Sequence, residues 1–166
     1  MTRRDPGSDP TSEPEPLHYT GFLFRRAQQV HVAAWQHHVS ASVTSVQFGV
    51  LAVLDRRPGS SQQDLCEELD LDRSTIADLV GRLERNGLLE RTRDAADRRR
   101  NRLSLSTRGR ATLDELRPGA ELVEHLLTDA LGPDDRDELR RMLLTVLGGA
   151  QPPGTGGSSM TSPSTE

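Results

Sequence analysis

Apolar residues recur at helical spacing over most of this chain. Between about residues 17 and 39 they form two stripes on one predicted helix, because positions three, four and seven apart share a helix face. Two faces to bury on one helix predict more than one packing neighbour. One stripe holds Leu23, Ala27, Val30 and Ala34, and the other holds Phe24, His31, Trp35 and His38.

Two shorter helical segments follow, each with its own start signal. The sequences Thr44-Ser-Val-Gln47 and Ser61-Gln-Gln-Asp64 are typical of capping boxes and predict helices that begin there. The first helix is expected to end at the Pro-Gly pair after Arg57, and the second is expected to span about 61–69.

A third helix is predicted over 73–86, with Asp72 as a favourable N-cap. Gly87 would supply the left-handed conformation that ends it. Alternating segments at 88–92 and 101–106 then predict a pair of strands joined by residues 94–100. The apolar face of the helix contains Ile76, Leu79, Val80 and Leu83.

Two helices are predicted at the carboxyl end of this pattern. Ser106 would cap a long helix with a heptad repeat, and Pro118 predicts a kink or a break near Leu116. The repeat consists of Leu113, Leu116, Ala120, Val123, Leu127 and Ala130. The last helix would bury Leu139, Met142, Leu143, Val146 and Leu147. The predicted fold class is therefore mainly α with a small β-wing.

Residues 1–16 and 149–166 are rich in Pro, Ser, Gly and acidic residues, and we expect both to be disordered tails. No apolar run approaches the roughly 20 residues of a membrane span, and the first 16 residues lack the apolar core of a signal peptide. The single Cys66 cannot form an internal disulfide. We therefore expect a cytoplasmic protein that makes no membrane contact.

Charge is unevenly distributed along the chain. Residues 73–110 contain eleven arginines and five acidic residues, a net charge of +6. Since the whole chain has a net charge of −4, the remainder carries −10. A localised basic patch on an acidic body favours a docked polyanion such as duplex DNA.

The helix 73–86 and the arginines after it are the candidate DNA-binding elements. Hydroxyls at a helix N-terminus suit phosphates or base edges, and Arg82 suits guanine or a phosphate. Asp78 would either pair with Arg82 or accept from a cytosine amine. In the hairpin, Asp94 or Asp97 paired with an arginine would stiffen the loop, and another arginine would enter a minor groove. The candidates are Arg73, Ser74, Thr75, Asp78, Arg82, Arg98, Arg99 and Arg100.

The order DRSTIADLVGRLERNGLLER, then DAADRRRNRLSLSTRGR, resembles the MarR family of multiple-antibiotic-resistance regulators. The most specific string is the Asp-Arg-Arg hairpin followed by L-S-L-[ST]-x-x-G-R, and the resemblance covers about 17–148. It implies a winged helix-turn-helix lobe (about 44–106) and dimerisation helices at 17–39 and 107–148. It further implies a homodimer on a palindromic site, with 73–86 as recognition helix and 98–100 as wing tip.

Members of this family usually repress nearby genes and release DNA when a small phenolic or aromatic-acid ligand, or its thioester, binds between dimer base and lobe. Phe24 and Trp35 would stack on an aromatic ring, and Arg26 would pair with a carboxylate. The alternative is that these residues belong to the core and the dimer interface. The candidate ligand-binding residues are Arg26, His31, Trp35 and His38.

Other functions have weaker support in the sequence. Some members of the family sense zinc, but the adjacent His37 and His38 point about 100° apart on a helix and suit one metal ion poorly. Cys66 is interpreted as a structural thiol rather than a peroxide sensor. No catalytic triad, paired carboxylates or phosphate loop appears, so neither a cofactor nor an enzyme is expected. A winged helix used only for protein contact remains the alternative from another class.

Overall fold

The structure, a computed structural model, describes residues 15–93 and 101–149. The two predicted tails lie outside these residues, except that Glu15–His18 forms one turn of 3₁₀ helix and Gly149 ends the last helix. The predicted hairpin connection, 94–100, also lies outside them.

The described part of the chain is mainly α-helical with one two-stranded antiparallel sheet, as the sequence predicted. The chain divides into two compact units, residues 1–127 and 128–166. The elements are α1 (Thr20–His38), α2 (Ser45–Arg56), α3 (Gln62–Leu69), α4 (Arg73–Arg85), β1 (Leu89–Arg93), β2 (Asn101–Leu105), α5 (Thr107–Thr128) and α6 (Pro133–Gly149).

The starts of α2 and α3 are both capping boxes, as predicted. The Thr44 hydroxyl accepts from the Gln47 backbone N–H at 3.2 Å, and the Gln47 amide oxygen accepts from the Thr44 N–H at 2.9 Å. Ser61 and Asp64 repeat this arrangement at 3.2 and 2.7 Å. Each box satisfies two backbone donors that the first helical turn would leave unpaired.

One hydrophobic core joins α2, α3, α4, both strands and the first half of α5. The predicted inward face of α4 is confirmed, with Leu79 only partly buried. The fully buried side chains include Leu51, Leu54, Leu65, Ile76, Val80, Leu83, Leu103 and Leu113.

The sheet is fixed to the rest of the lobe at its base. β1 pairs with β2 in a register that places Leu89 opposite Leu105. A further bridge joins Leu103 to Ser60, and the Arg102 guanidinium donates to the Gly59 carbonyl at 3.3 Å. The hairpin therefore leaves the lobe from a base that is tied to the turn between α2 and α3.

The start of α5 packs against the residues that follow α4, and this close contact requires a glycine at position 109. The Ser106 hydroxyl donates to the Gly87 carbonyl at 2.6 Å and accepts from the Gly109 N–H at 2.9 Å, which confirms Ser106 as the cap of α5. A Cβ atom on Gly109 would lie 1.9 Å from the Leu88 carbonyl oxygen. Gly87 has a φ of 70°, the left-handed conformation predicted for it.

Of the predicted kink or break near Leu116, the break is wrong, because α5 is continuous from Thr107 to Thr128 through Pro118. A proline removes one intrahelical hydrogen bond, and buried residues on both sides, Leu116 and Val123, hold the helix in place. The next residue, Gly119, lies so close to α1 that a Cβ there would be 2.7 Å from the His38 carbonyl oxygen.

The predicted burial of the apolar face of α6 is not found among residues 15–93 and 101–149. Met142 and Leu147 are 47% and 61% exposed, and only Leu139 is half-buried. The physical reason is that a stripe of apolar residues defines a face to be covered and does not say which molecule covers it. None of the helices within 15–93 and 101–149 has the length and apolar character to span a membrane.

Candidate nucleic-acid interface

α4 presents one polar face to solvent because its other face is held in the core. Ile76, Val80 and Leu83 are completely buried, which fixes the rotation of the helix about its axis. The predicted DNA-facing residues on this helix are consequently exposed, apart from the half-buried Thr75. The exposed members of the set are Arg73, Ser74, Asp78 and Arg82.

Asp72 caps α4 with four hydrogen bonds. Its carboxylate accepts from the backbone N–H groups of Ser74 and Thr75, each at 2.9 Å, and from their two hydroxyls, each at 2.5 Å. The hydroxyls of Ser74 and then Thr75 are the main reason that the pKa of the Asp72 carboxyl lies well below its usual range. Both hydroxyl protons point at Asp72, so donation to a phosphate would require them to rotate.

The predicted ion pair between Asp78 and Arg82 does not occur among the residues that the structure describes. Both side chains lie on the exposed face of α4. Arg82 is therefore an exposed cation on this face, and Asp78 is an exposed hydrogen-bond acceptor on the same helix.

An ion pair that sequence reasoning missed connects α4 to the wing. Arg91 on β1 donates to Glu84 through Nη2 at 3.0 Å and through Nε at 3.3 Å. A bidentate pair of this kind fixes direction as well as distance. It sets the angle between the recognition-helix candidate and the first strand of the hairpin. The arginines assigned to the wing tip, Arg98, Arg99 and Arg100, lie outside the described residues.

A second missed network ties α2 to α5. The Asp55 carboxylate accepts from Arg110 and, at 2.7 Å, from Arg117. Asp55 is more than 50 positions from both arginines in sequence, so no local pattern indicates the contact. The network fixes the first half of α5 against the end of α2, and thereby the position of the lobe on α5.

Trp35, a candidate ligand-binding residue, is 6% exposed within one chain. Its indole Nε1 donates to the Val43 carbonyl at 2.7 Å, and its ring meets Phe48 edge-on at 5.3 Å. The half-buried His31 ring is 6.1 Å away. These contacts place Trp35 and His31 together where α1 meets the start of α2.

The other candidates on α1 are not all at this position. His38 is exposed one turn beyond Trp35, next to His37. Arg26 is nine residues from Trp35, which places it about 180° around the helix. Phe24 is eleven residues away, about 16 Å along the axis. One aromatic ring cannot stack on both Phe24 and Trp35 of the same chain, so that expectation is wrong within one chain.

The geometry of α3, α4 and the hairpin defines a class of protein. A capped helix with an exposed polar face follows a short helix and a tight turn, and a basic hairpin comes after it. This is the arrangement of a winged helix-turn-helix DNA-binding protein.

Comparison with known proteins agrees with that class. A model of the MarR family matches residues 41–100. The transcriptional regulator HosA of Escherichia coli O127:H6 is 30% identical over 123 residues, which cover 74% of this chain and 90% of HosA. The chain belongs to the MarR family, whose members are transcriptional regulators and not enzymes.

Solved structures show the same relationship. The PcaV transcriptional regulator from Streptomyces coelicolor, in complex with its natural ligand, has a TM-score of 0.80 at 33% identity and covers 85% of this chain and 100% of PcaV. The transcriptional repressor CouR bound to a 23-mer DNA duplex has a TM-score of 0.73 at 36% identity, covering 82% of this chain and 99% of CouR. CouR has also been solved with p-coumaroyl-CoA.

Proposed function

We propose that this protein is a homodimeric repressor that binds a palindromic operator and releases it when a small aromatic acid, or its thioester, binds. The observation that carries the proposal is the capped helix α4, which the core holds with its polar face outward. The similar repressor CouR has been solved both with duplex DNA and with an aromatic acyl thioester. The operator would be bound in the cytoplasm.

The proposed DNA contacts divide into two groups. Arg82 and Arg73 contact base edges or phosphates from α4, and Ser74, Thr75 and Asp78 contact the groove beside them. Arg98, Arg99 and Arg100 contact the minor groove from the wing. The net charge of +6 over 73–110 supports this division, because phosphate neutralisation requires concentrated positive charge.

Dimerisation is supported by apolar surface that one chain leaves uncovered. In the first unit, Leu23, Phe24 and Val30 on α1 and Leu122 and Leu126 on α5 are exposed. In the second unit, α6 exposes an apolar face of its own. Surface of this kind, repeated along helices, is typical of protein interfaces.

The proposed effector site on α1 contains Trp35, His31 and His38. The Trp35 indole N–H already donates to Val43 and the side chain is 6% exposed, so a ligand would contact the small part of the ring that remains accessible. Arg26 lies on the opposite side of α1, and it would join a ligand beside Trp35 only from the second copy of the chain.

Fluorescence-anisotropy titration of DNA from the gene's own upstream region tests DNA reading by α4. The dissociation constant should rise steeply with salt, and Arg82→Ala should weaken binding by about tenfold, because one base or phosphate contact contributes roughly 1–3 kcal/mol. Arg140→Ala on α6 is the matched control, since it removes an exposed arginine outside the lobe.

Binding that is absent, or that does not respond to salt, would contradict the proposal and favour a winged helix used for protein contact.

For the effector, p-coumarate and p-coumaroyl-CoA are added to the preformed complex. Release of DNA by wild type but not by Trp35→Ala supports the site on α1, and equal release by both excludes it.

A further inference from the structure

A single carboxylate near the end of α2 holds two arginines of α5. Asp55 accepts from Arg110 through Oδ1 and from Arg117 through Oδ2, the latter at 2.7 Å. The two arginines lie on one face of α5, about two turns or roughly 10 Å apart along its axis. Each carboxylate oxygen therefore has its own guanidinium, and we call these three residues the Asp55 clamp.

The two contacts of the clamp restrict α5 more than one contact would. A helix held at one point can pivot about that point, whereas contacts about two turns apart resist both rocking and rotation. Leu113, which lies between the two arginines in sequence, and Leu54, next to Asp55, are both completely buried. The clamp therefore lies at the edge of the core, where α2 and α5 meet.

The clamp is open to water, so it adds little to stability. The Asp55 side chain is 24% exposed, and those of Arg110 and Arg117 are 55% and 44% exposed. Ion pairs with this exposure contribute little to the free energy of unfolding, because water screens them and the side chains lose entropy on pairing. Loss of the clamp should therefore leave the lobe folded on its buried leucines.

Directly after the clamp, α5 passes from the lobe to α1. Pro118 has no N–H for the carbonyl four residues earlier, so α5 has one hydrogen bond fewer at this turn. Gly119 then packs against the end of α1, close to the His38 carbonyl. Further along α5, Leu122 and Leu126 are exposed. The clamp thus lies between the DNA-binding lobe and the part of α5 that is proposed to meet a second copy.

We propose that Asp55 is a positioning residue for operator binding. By holding Arg110 and Arg117 it sets the orientation of the lobe on α5, and thereby the distance between the two half-sites that a dimer accepts. The inference rests on the proposed function, since only a dimer on a two-part operator has such a distance. Asp55 acts through α5 and needs no contact with DNA.

Competition binding to operators of altered spacing tests this role. The operator in the upstream DNA is compared with versions in which one base pair is inserted or removed between the half-sites. Wild type should prefer the native spacing, and in Asp55→Asn this preference should fall by about threefold, the order of effect of removing one member of a charged network. A purely structural role would instead weaken binding at every spacing by the same factor.

Three controls accompany this titration. Asp114→Asn removes a carboxylate that pairs with Arg117 at 3.6 Å within α5, so it should leave the spacing preference unchanged. A duplex with one half-site should bind wild type and Asp55→Asn equally, because α4 is the same in both. Circular-dichroism melting checks that Asp55→Asn is folded, and the double variant Arg110→Gln, Arg117→Gln should lose the preference in the same way.

The distance between the two lobes gives a readout that needs no DNA. A nitroxide is attached to each copy on α3 through Glu67→Cys in a Cys66→Ser background, since Glu67 is exposed and Cys66 is the only cysteine in the chain. Pulsed electron paramagnetic resonance then measures the distance between the labels of the two copies. Asp55→Asn should widen the distance distribution, whereas Asp114→Asn should leave it as in wild type.

An unchanged distance distribution in Asp55→Asn, or a loss of affinity that is equal at every spacing, would overturn the positioning role. An effect of Asp114→Asn as large as that of Asp55→Asn would overturn it too. If wild type binds the operator and Asp55→Asn keeps its spacing preference, this inference falls and the proposed function stands. If wild type binds no upstream DNA, the proposed function falls and the positioning role falls with it.

Discussion

α4 and α6 carry apolar stripes with the same helical period, but in the part of the chain that the structure describes the stripe of α4 is buried and that of α6 is exposed. Ile76, Val80 and Leu83 of α4 are completely buried. Met142, Val146 and Leu147 of α6 remain exposed. The difference shows that the DNA-binding lobe contains its own core, whereas the apolar face of α6 is exposed among the described residues.

The largest effect is expected from a substitution that disrupts the core beneath α4. Leu83→Ala should lower the free energy of unfolding by about 2–5 kcal/mol, because truncating a buried leucine removes transfer energy and leaves a cavity. Urea denaturation followed by circular dichroism measures this loss. The loss should be the same at low and high protein concentration, since the contact lies within one chain. A loss below 0.5 kcal/mol, roughly the effect of a surface substitution, would show that α4 is not held by this core.

The second largest effect is expected from a substitution on α6 that changes the dimer–monomer equilibrium without disrupting the core of the lobe. Leu147→Asp should shift the protein from dimer to monomer, because it places a charge on the exposed apolar face. Light scattering coupled to size-exclusion chromatography measures the mass. Thr145→Asp, two residues earlier and therefore about 200° around the helix, is the matched control and should stay dimeric. If wild type is itself a monomer at every concentration, α6 has no role in dimerisation.

The smallest expected effect concerns the cap of α4. The pKa of Asp72 is lowered in the folded state, so its contribution to stability is complete above the unfolded pKa of about 3.9 and is lost as pH falls through the folded value. Asp72→Asn should lower the melting temperature at pH 7 and make it fall less steeply towards acid pH. Asp78→Asn, on the same helix without a capping role, should change neither. If the melting temperature of Asp72→Asn falls towards acid pH as steeply as that of wild type, the capping role of Asp72 would be contradicted.

The parts of the fold that were predictable are those set by local sequence. The capping boxes at Thr44 and Ser61 and the cap at Asp72 involve partners two or three residues away, so their signals are contiguous. The buried face of α4 was equally readable, because helical period alone defines it. Gly87 was predictable since its left-handed conformation follows a helix end.

The parts that were not predictable depend on distant residues. Asp55 meets Arg110 and Arg117 across more than 50 positions, and Gly109 is required by the Leu88 backbone that it touches. The ligand-binding role of Trp35 stays a prediction, and its buried donation to Val43 depends on a loop that its own helix pattern does not describe. The continuity of α5 through Pro118 likewise depends on packing rather than on propensity.

From the difference between the lobe and α6 we infer how two copies of the chain assemble. Their helices associate and thereby place two self-contained lobes on one duplex. Hydroxyl-radical footprinting on the upstream DNA tests this claim most directly. A homodimer should protect two symmetric segments whose centres lie about one helical turn, roughly 34–36 Å, or a multiple of it, apart. Leu147→Asp should lose both protections together at concentrations where wild type binds. A single asymmetric protected segment, unchanged in Leu147→Asp, would contradict the account.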